Sequence, residues 1–392
     1  MQENSQNNRL VFSVFVLAIC RVVIDMTRRF AYPFIPEISR QLGVPTESVQ
    51  TIIGLQSGVG VASPAFGSLT ERYGRKRMMM GALWLVFFGG ISGALLPRFW
   101  LFALVMVVFG ISKMIYGPAM QAYLGDRVPY HRRGMAFGAT ELSWAGSLII
   151  AAPMTGFLLA RYGLQAVFLA LALVSLIALG VMWRYLVDDT PQDEVQTRPI
   201  NPLLIFTILR HNRAALGAVV FTLALVLANE VFFINYGLWM EEAFGLSPQR
   251  LGAVTNVIPI AEVIGEFLVI GISDRIGKRR LALIGAGLAS LGYFALPFFS
   301  GNLLLVMAGL FIIFLAFETA VVASIPLFSE VAPESRAVMM SGNMSAASIG
   351  RFGGAALGGQ IFALTDNFTA VCVFAGVIGA LAFFALWIFV HE

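Results

Sequence analysis

Glu71-Arg72-Tyr73-Gly74-Arg75-Lys76-Arg77 and Asp274-Arg275-Ile276-Gly277-Lys278-Arg279-Arg280 are two versions of one charged string, set 203 residues apart in a chain of 392. Each copy follows a long apolar stretch and precedes another. That spacing predicts two repeated halves, each a bundle of membrane helices, with the charged string as a tight loop between two spans. The expected domains are an N-terminal six-helix bundle over 1–186, a linker over 187–213 and a C-terminal six-helix bundle over 214–392.

Composition agrees with an all-α membrane protein. The chain is 58% hydrophobic and 12% charged, with a mean hydropathy of +0.82; a soluble domain carries about 25% charged residues. Twelve apolar runs are long enough for a ~30 Å hydrocarbon core. They lie at about 10–37, 48–70, 77–97, 99–124, 134–160, 164–186, 214–240, 249–272, 280–299, 302–328, 337–363 and 367–389. The runs are continuously apolar rather than alternating, which predicts helices and excludes a barrel.

Basic residues orient the spans. With the N-terminus inside, seventeen Lys and Arg fall in cytoplasmic segments, and only Arg40, Arg98, Arg161 and Arg250 fall on the other side. This asymmetry predicts that both termini are cytoplasmic. It also accounts for the basic balance of the chain, so a nucleic-acid partner is not expected. The first run is too long for a cleaved signal peptide and is interrupted by Arg21, Asp25, Arg28 and Arg29. Cys20 and Cys372 lie in separate apolar spans, and His131, His211 and His391 lie in cytoplasmic segments. No structural disulfide, metal site or cofactor is therefore expected. The absence of a GxxxxGK[ST] loop argues against ATP as the driving force. The polar stretch Val187 to Arg213, with Asp188, Asp189, Pro191, Asp193, Glu194, Pro199 and Pro202, reads as a flexible tether between the halves.

The stretch Gly67 to Arg77 resembles the loop motif of the major facilitator superfamily, with Glu71 in place of the usual Asp. The second copy has the Asp at 274, and its preceding glycine, Gly271, sits one residue closer. The resemblance covers the whole chain. It implies twelve transmembrane helices in two six-helix pseudo-repeats around a cavity that opens alternately to each side. Within the motif, Gly74 and Gly277 allow a tight turn. Gly67, Glu71, Arg72, Gly74, Arg75, Asp274, Arg275 and Gly277 are the expected gating residues.

Asp25-Met26-Thr27-Arg28-Arg29-Phe30-Ala31-Tyr32-Pro33-Phe34-Ile35-Pro36 resembles the first-span motif of the drug:proton antiporter group, D-xxx-R-xxx-P-xx-P. Gly146 to Gly156 resembles the superfamily's span-five antiporter motif, with Ala152 replacing a glycine before Pro153. The group's span-four arginine, about twelve residues before a proline, would fall on Met106; Lys113 is the cation present in this span.

Ionisable groups at mid-bilayer cost about 2.5–3.5 kcal/mol even on lenient scales. They are expected to pair or to face the cavity, which the resemblance lines with spans one, four, seven and ten. Those spans carry Asp25, Arg28 and Arg29; Lys113; Glu230; and Glu318. Arg21, Asp25, Arg28 and Arg29 share one helix face by spacing, and three arginines there exceed one carboxylate. Glu141 and Trp144, a turn apart in span five, add a candidate partner and proton carrier. Asn229 beside Glu230 begins a polar strip continued by Asn235 and Tyr236. Glu262 and Glu266 in span eight are further acids, and Arg351 in span eleven is a candidate partner for them. The candidate substrate- and proton-binding residues are thus Asp25, Arg28, Arg29, Lys113, Glu141, Trp144, Asn229, Glu230, Glu318 and Arg351. The first half is basic and the second acidic, which suits a zwitterion or an amphiphile with an anionic head.

The expected function is proton-coupled efflux of small amphiphilic or zwitterionic compounds, not enzymatic catalysis. A lipid or glycolipid flippase of the same fold and an uptake symporter remain open alternatives. The expected partners are the small-molecule substrate, protons and the lipid bilayer, around a monomer in a bacterial plasma (inner) membrane.

Overall fold

A computed structural model describes residues 2–62, 73–96, 98–128, 136, 138–188, 204–332 and 335–390. Gly67, Glu71 and Arg72, expected to act in gating, lie outside the described residues, as does linker segment 189–203. Every regular element described is helical. In chain order these are α1 (Gln2–Arg29), α2 (Ile35–Leu42), α3 (Thr46–Gly58), α4 (Arg75–Leu95), α5 (Phe99–Arg127), α6 (Ser143–Tyr162) and α7 (Leu164–Tyr185). There follow α8 (Leu204–His211), α9 (Arg213–Phe244), α10 (Pro248–Val254), α11 (Val257–Ile276), α12 (Lys278–Ala295), α13 (Leu303–Glu330), α14 (Arg336–Thr365) and α15 (Phe368–Phe389).

Among the described residues, nine helices are long and apolar enough to cross a membrane. The other three expected spans depart from that simple composition for visible reasons. The first begins among residues whose side chains are not described, the second runs past the described residues at 62, and α14 is diluted by Gly and Ser.

The first span is not one helix, as its apolar run predicts. It stops at Arg29, turns through a 3-10 segment Tyr32–Phe34 and restarts as α2. Pro33 has no N–H to continue the ladder of α1; Pro36 is tolerated in the first turn of α2.

The chain forms two compact units. One comprises Met1–Ala31 with Ala62–Pro199, the other Tyr32–Val61 with Ile200–Glu392. The partition differs from the repeat-based boundaries over residues 32–61, which group with the second unit. Four contacts hold them there. Tyr32 Oη donates to Glu230 Oε1 at 2.6 Å, and Gln50 Nε2 donates to Asn235 Oδ1 at 2.9 Å. Arg40 Nη1 donates to Glu241 Oε1 at 2.6 Å. The Pro33 carbonyl lies directly on Gly237, where any Cβ would overlap it.

Within each unit, packing relies on small residues that let helix backbones approach, as expected where lipid replaces water. In the first unit Gly90 and Gly93 of α4 lie against Phe168 and Ala172 of α7. In the second, Gly354 and Gly358 of α14 lie against Leu227, Glu230 and Val231 of α9. An edge-to-face pair, Phe221 with Phe328, centres the core of the second unit at 5.5 Å.

The repeated loop has a repeated geometry. Gly74 and Gly277 have φ of 86° and 93°, a region that favours glycine. Two residues on, Lys76 Nζ donates to the Leu186 carbonyl at 2.6 Å and the Trp183 carbonyl at 3.4 Å, at the end of α7. Its counterpart Arg279 donates from Nε to the Val390 carbonyl at 2.5 Å and from Nη2 to the Trp387 carbonyl at 2.8 Å, at the end of α15. In each half the same motif position thus satisfies carbonyls that the last helix leaves without intrahelical partners. Lys76 also pairs with Asp188 at 2.8 Å, and its hydrogen bond holds that exposed carboxyl below its ordinary value.

Candidate functional site

Among the described residues, each unit carries buried charge within its helices. In the first unit, Asp25 is fully buried on α1. Lys113 of α5 donates to its Oδ1 at 2.7 Å, Ser143 of α6 donates to its Oδ2 at 3.2 Å, and Arg21 lies one turn back at 3.6 Å. Arg21 also forks onto Glu141, with Nη1 to Oε1 at 2.8 Å and Nη2 to Oε2 at 2.7 Å. This planar two-bond match is the geometry a guanidinium provides and an ammonium does not. Glu141 is half exposed, while Asp25 is fully buried.

Trp144 gathers three cations. Lys113 Nζ lies 4.3 Å from its ring centroid, Arg29 Cζ 4.4 Å and Arg28 Cζ 5.5 Å. Arg29 Nη1 also donates to the Trp144 carbonyl at 3.0 Å. An indole face attracts a cation, most strongly when water is excluded, and both arginines are buried. The i, i+3 and i+4 spacing of Asp25, Arg28 and Arg29 brings all three to this region. Counting Arg21, Arg28, Arg29 and Lys113 against Asp25 and Glu141, four cations meet two carboxylates here.

The second unit carries the opposite charge. Glu230 of α9, Glu262 and Glu266 of α11 and Glu318 of α13 are all buried. Glu230 sits where α14 comes closest: a Cβ on Gly354 would lie 2.6 Å from its Cβ, and Arg351 is one turn before that glycine. Gly265, between Glu262 and Glu266, similarly brings α11 against Glu318, whose Cβ would be 3.2 Å from a methyl at 265. Asn229, beside Glu230, accepts from Tyr293 Oη at 3.1 Å and so turns toward α12.

At the loop ends, Arg75 donates to the Ala122 carbonyl at 3.1 Å and pairs with Asp126, both on α5. Asp274 and Arg275 end α11 and are exposed. Arg21 was read beside Asp25 but left out of the candidate residues, and three participants were not read at all: Ser143 on Asp25, Tyr32 on Glu230, and Gln50 on Asn235. Tyr32 stands inside the Asp25–Pro36 motif and Ser143 two residues from Glu141, so position alone was a signal for both. Gln50 had none.

The family model described as Major Facilitator Superfamily matches residues 17–236 and again 219–392. The chain belongs to the Major Facilitator Superfamily. Its relatives in that superfamily include the uncharacterized MFS-type transporter YceJ of Bacillus subtilis (strain 168), 25% identical over 355 residues, covering 88% of each chain. Multidrug resistance protein 2 of the same organism is 22% identical over 324 residues, covering 81% of this chain and 80% of that one. The class C tetracycline resistance protein of Escherichia coli is 25% identical over 303 residues, 74% of each. Among solved structures, a bacterial homolog of the human lysosomal transporter Spinster, crystallised inward-facing and unoccupied, superposes with a TM-score of 0.77. It is 14% identical and covers 97% of this chain and 98% of that one, a likeness of fold. Twelve helices in two repeats, a bilayer location and transport rather than catalysis follow from membership of this superfamily.

Proposed function

We propose that this protein is a proton-coupled exporter of small amphiphilic or zwitterionic compounds, working by alternating access from an inner membrane with both termini cytoplasmic. The observation that carries this reading is the Asp25 network. A fully buried carboxylate is held by Lys113 and Ser143, and next to it the Arg21–Glu141 pair leads to a half-exposed acid. Carboxylates arranged from an exposed position to a buried one, each beside a cation, can couple a change of protonation to a change of ion pairing. Multidrug and tetracycline resistance proteins among the relatives favour efflux.

In this reading the cations around Trp144 receive the anionic part of the substrate and the indole covers its apolar part. The acids of the second unit, Glu230 and Glu318, are further candidate proton carriers. The same Trp144 group favours one second reading, a flippase for lipids with anionic headgroups.

The test is transport in proteoliposomes under an imposed pH gradient, with single amide replacements at Asp25, Glu141, Glu230 and Glu318. Uphill efflux of a dye should collapse when the gradient is removed, and at least one amide variant should lose uphill transport while still exchanging substrate. Transport that ignores the pH gradient and follows Na⁺ rejects proton coupling. Headgroup-dependent movement of lipid without dye transport supports the second reading.

A further inference from the structure

The helix α8, Leu204-Ile-Phe-Thr-Ile-Leu-Arg-His211, is not used by the transport reading. It ends one residue before α9, a helix able to cross the membrane from Arg213. Asn212 locks the junction: its Oδ1 accepts from the Ala215 N–H at 3.1 Å and its Nδ2 donates to the Val331 carbonyl at 3.0 Å. The helix is therefore held at the level where a membrane span starts.

Its two faces differ in chemistry. Ile205, Ile208 and Leu209 pack on the buried core of the second unit. Ile205 fits a notch at Gly342 of α14, where a Cβ would come within 2.6 Å of the isoleucine methyl. The other face is open. Phe206 is 67% exposed, and Thr207, Arg210, His211 and the neighbouring Arg213 are exposed with it. Residues 204–213 contain no acidic side chain.

We propose that this open face of α8 is a docking surface for anionic phospholipid headgroups of the adjacent leaflet. The height of the helix, set by α9, puts Phe206 at the boundary between headgroups and acyl chains, where an exposed aromatic ring is stabilised. Arg210, one turn on from Phe206, and the neighbouring Arg213 are exposed cations that can meet phosphate. A juxtamembrane basic residue near an anionic surface gains roughly a fivefold preference over a neutral one. Because Ile205 is seated at Gly342, lipid held on α8 also steadies the first turns of α14. The docking is independent of the substrate and of proton coupling.

A nitroxide on Thr207→Cys tests this, since Cys20 and Cys372 are buried and leave 207 as the labelled site. The protein is reconstituted in phosphatidylcholine vesicles with and without about 30% phosphatidylglycerol. With the anionic lipid, collisions of the label with oxygen should rise relative to a water-soluble nickel chelate. Amide exchange across 204–211 in the unlabelled protein should slow by about tenfold, and the Arg210→Gln/Arg213→Gln double variant should lose most of that protection. Raising salt to about 0.5 M should reverse the effect in the parent protein without any substitution. A label that reports water in both vesicles, or protection that is unchanged in the double variant and at high salt, overturns the proposal. Protection that instead requires an added soluble protein would assign the face to a protein partner and equally overturn it.

Discussion

Tyr32 and Glu230, 198 residues apart, are joined by a 2.6 Å hydrogen bond between a phenol and a buried carboxylate. The phenol also stacks on Phe233, at 4.9 Å and 15°. One side chain in the interrupted part of span one thus reads both the charge and the aromatic surface of α9.

Removing the hydroxyl isolates the polar part of that contact. Tyr32→Phe keeps the stack and loses a hydrogen bond to a charged group, with an expected cost of about 1.5–3 kcal/mol. Gly237→Ala should disturb the same junction through shape, since its Cβ would strike the Pro33 carbonyl; overpacking of this kind costs about 1–3 kcal/mol. Both variants should melt at lower temperature in detergent and increase labelling of cysteines placed in 32–61. Unchanged melting and labelling in both would show that this junction contributes nothing to holding the segment.

Arg28→Lys and Arg29→Lys keep charge beside Trp144 and remove the planar fork. At least one should weaken binding of an anionic or zwitterionic substrate by about tenfold or more, and that of a purely cationic one much less. Equal binding of every compound by parent and variants would make the arginines packing elements alone.

The charged loops are expected to set the balance between states rather than to touch substrate. Asp274→Ala, and Glu71→Ala in the other copy, should change cysteine accessibility on the two sides of the membrane while leaving affinity measured in a locked state within about twofold. Identical accessibility in both variants would reduce the motif to a topology signal and a helix cap.

Asp188 offers a pH test outside the membrane. Its carboxyl is depressed by the Lys76 hydrogen bond, so the contact is intact above the ordinary value of 3.8 and is lost as pH falls through the depressed one. A carbon-detected titration should place the Asp188 midpoint below 3.8, and Lys76→Met should return it toward 3.8. A midpoint that does not respond to that substitution would remove Lys76 as the cause. The effect on overall stability should be small, because the carboxylate is exposed and screened.

Much of the fold was legible because a membrane helix satisfies its own backbone hydrogen bonds within one segment. Span positions from the first run to the last needed only local hydropathy, and the two charged strings revealed the repeat. The charged residues most worth following, Asp25, Lys113, Glu230 and Glu318, were visible for the same reason: an ionisable group stands out against an apolar run. Gly74 and Gly277 were read as turn residues from their place in the motif, and their backbone angles require it.

Pairing was another matter. Asp25 chooses Lys113 across 88 residues, and Arg21 chooses Glu141 across 120, although spacing on α1 offered Asp25 two other arginines. The capping of α7 by Lys76 and of α15 by Arg279 looked from sequence like loop charge alone. Pro33 and Pro36 were read as part of a motif, and neither the break in span one nor the settling of residues 32–61 on α9 and α14 was read from them. Local composition determines which segments are helices and where charge is buried. Which charges meet depends on close approach of helices distant in sequence, and in a low-dielectric interior that geometry alone selects the partner.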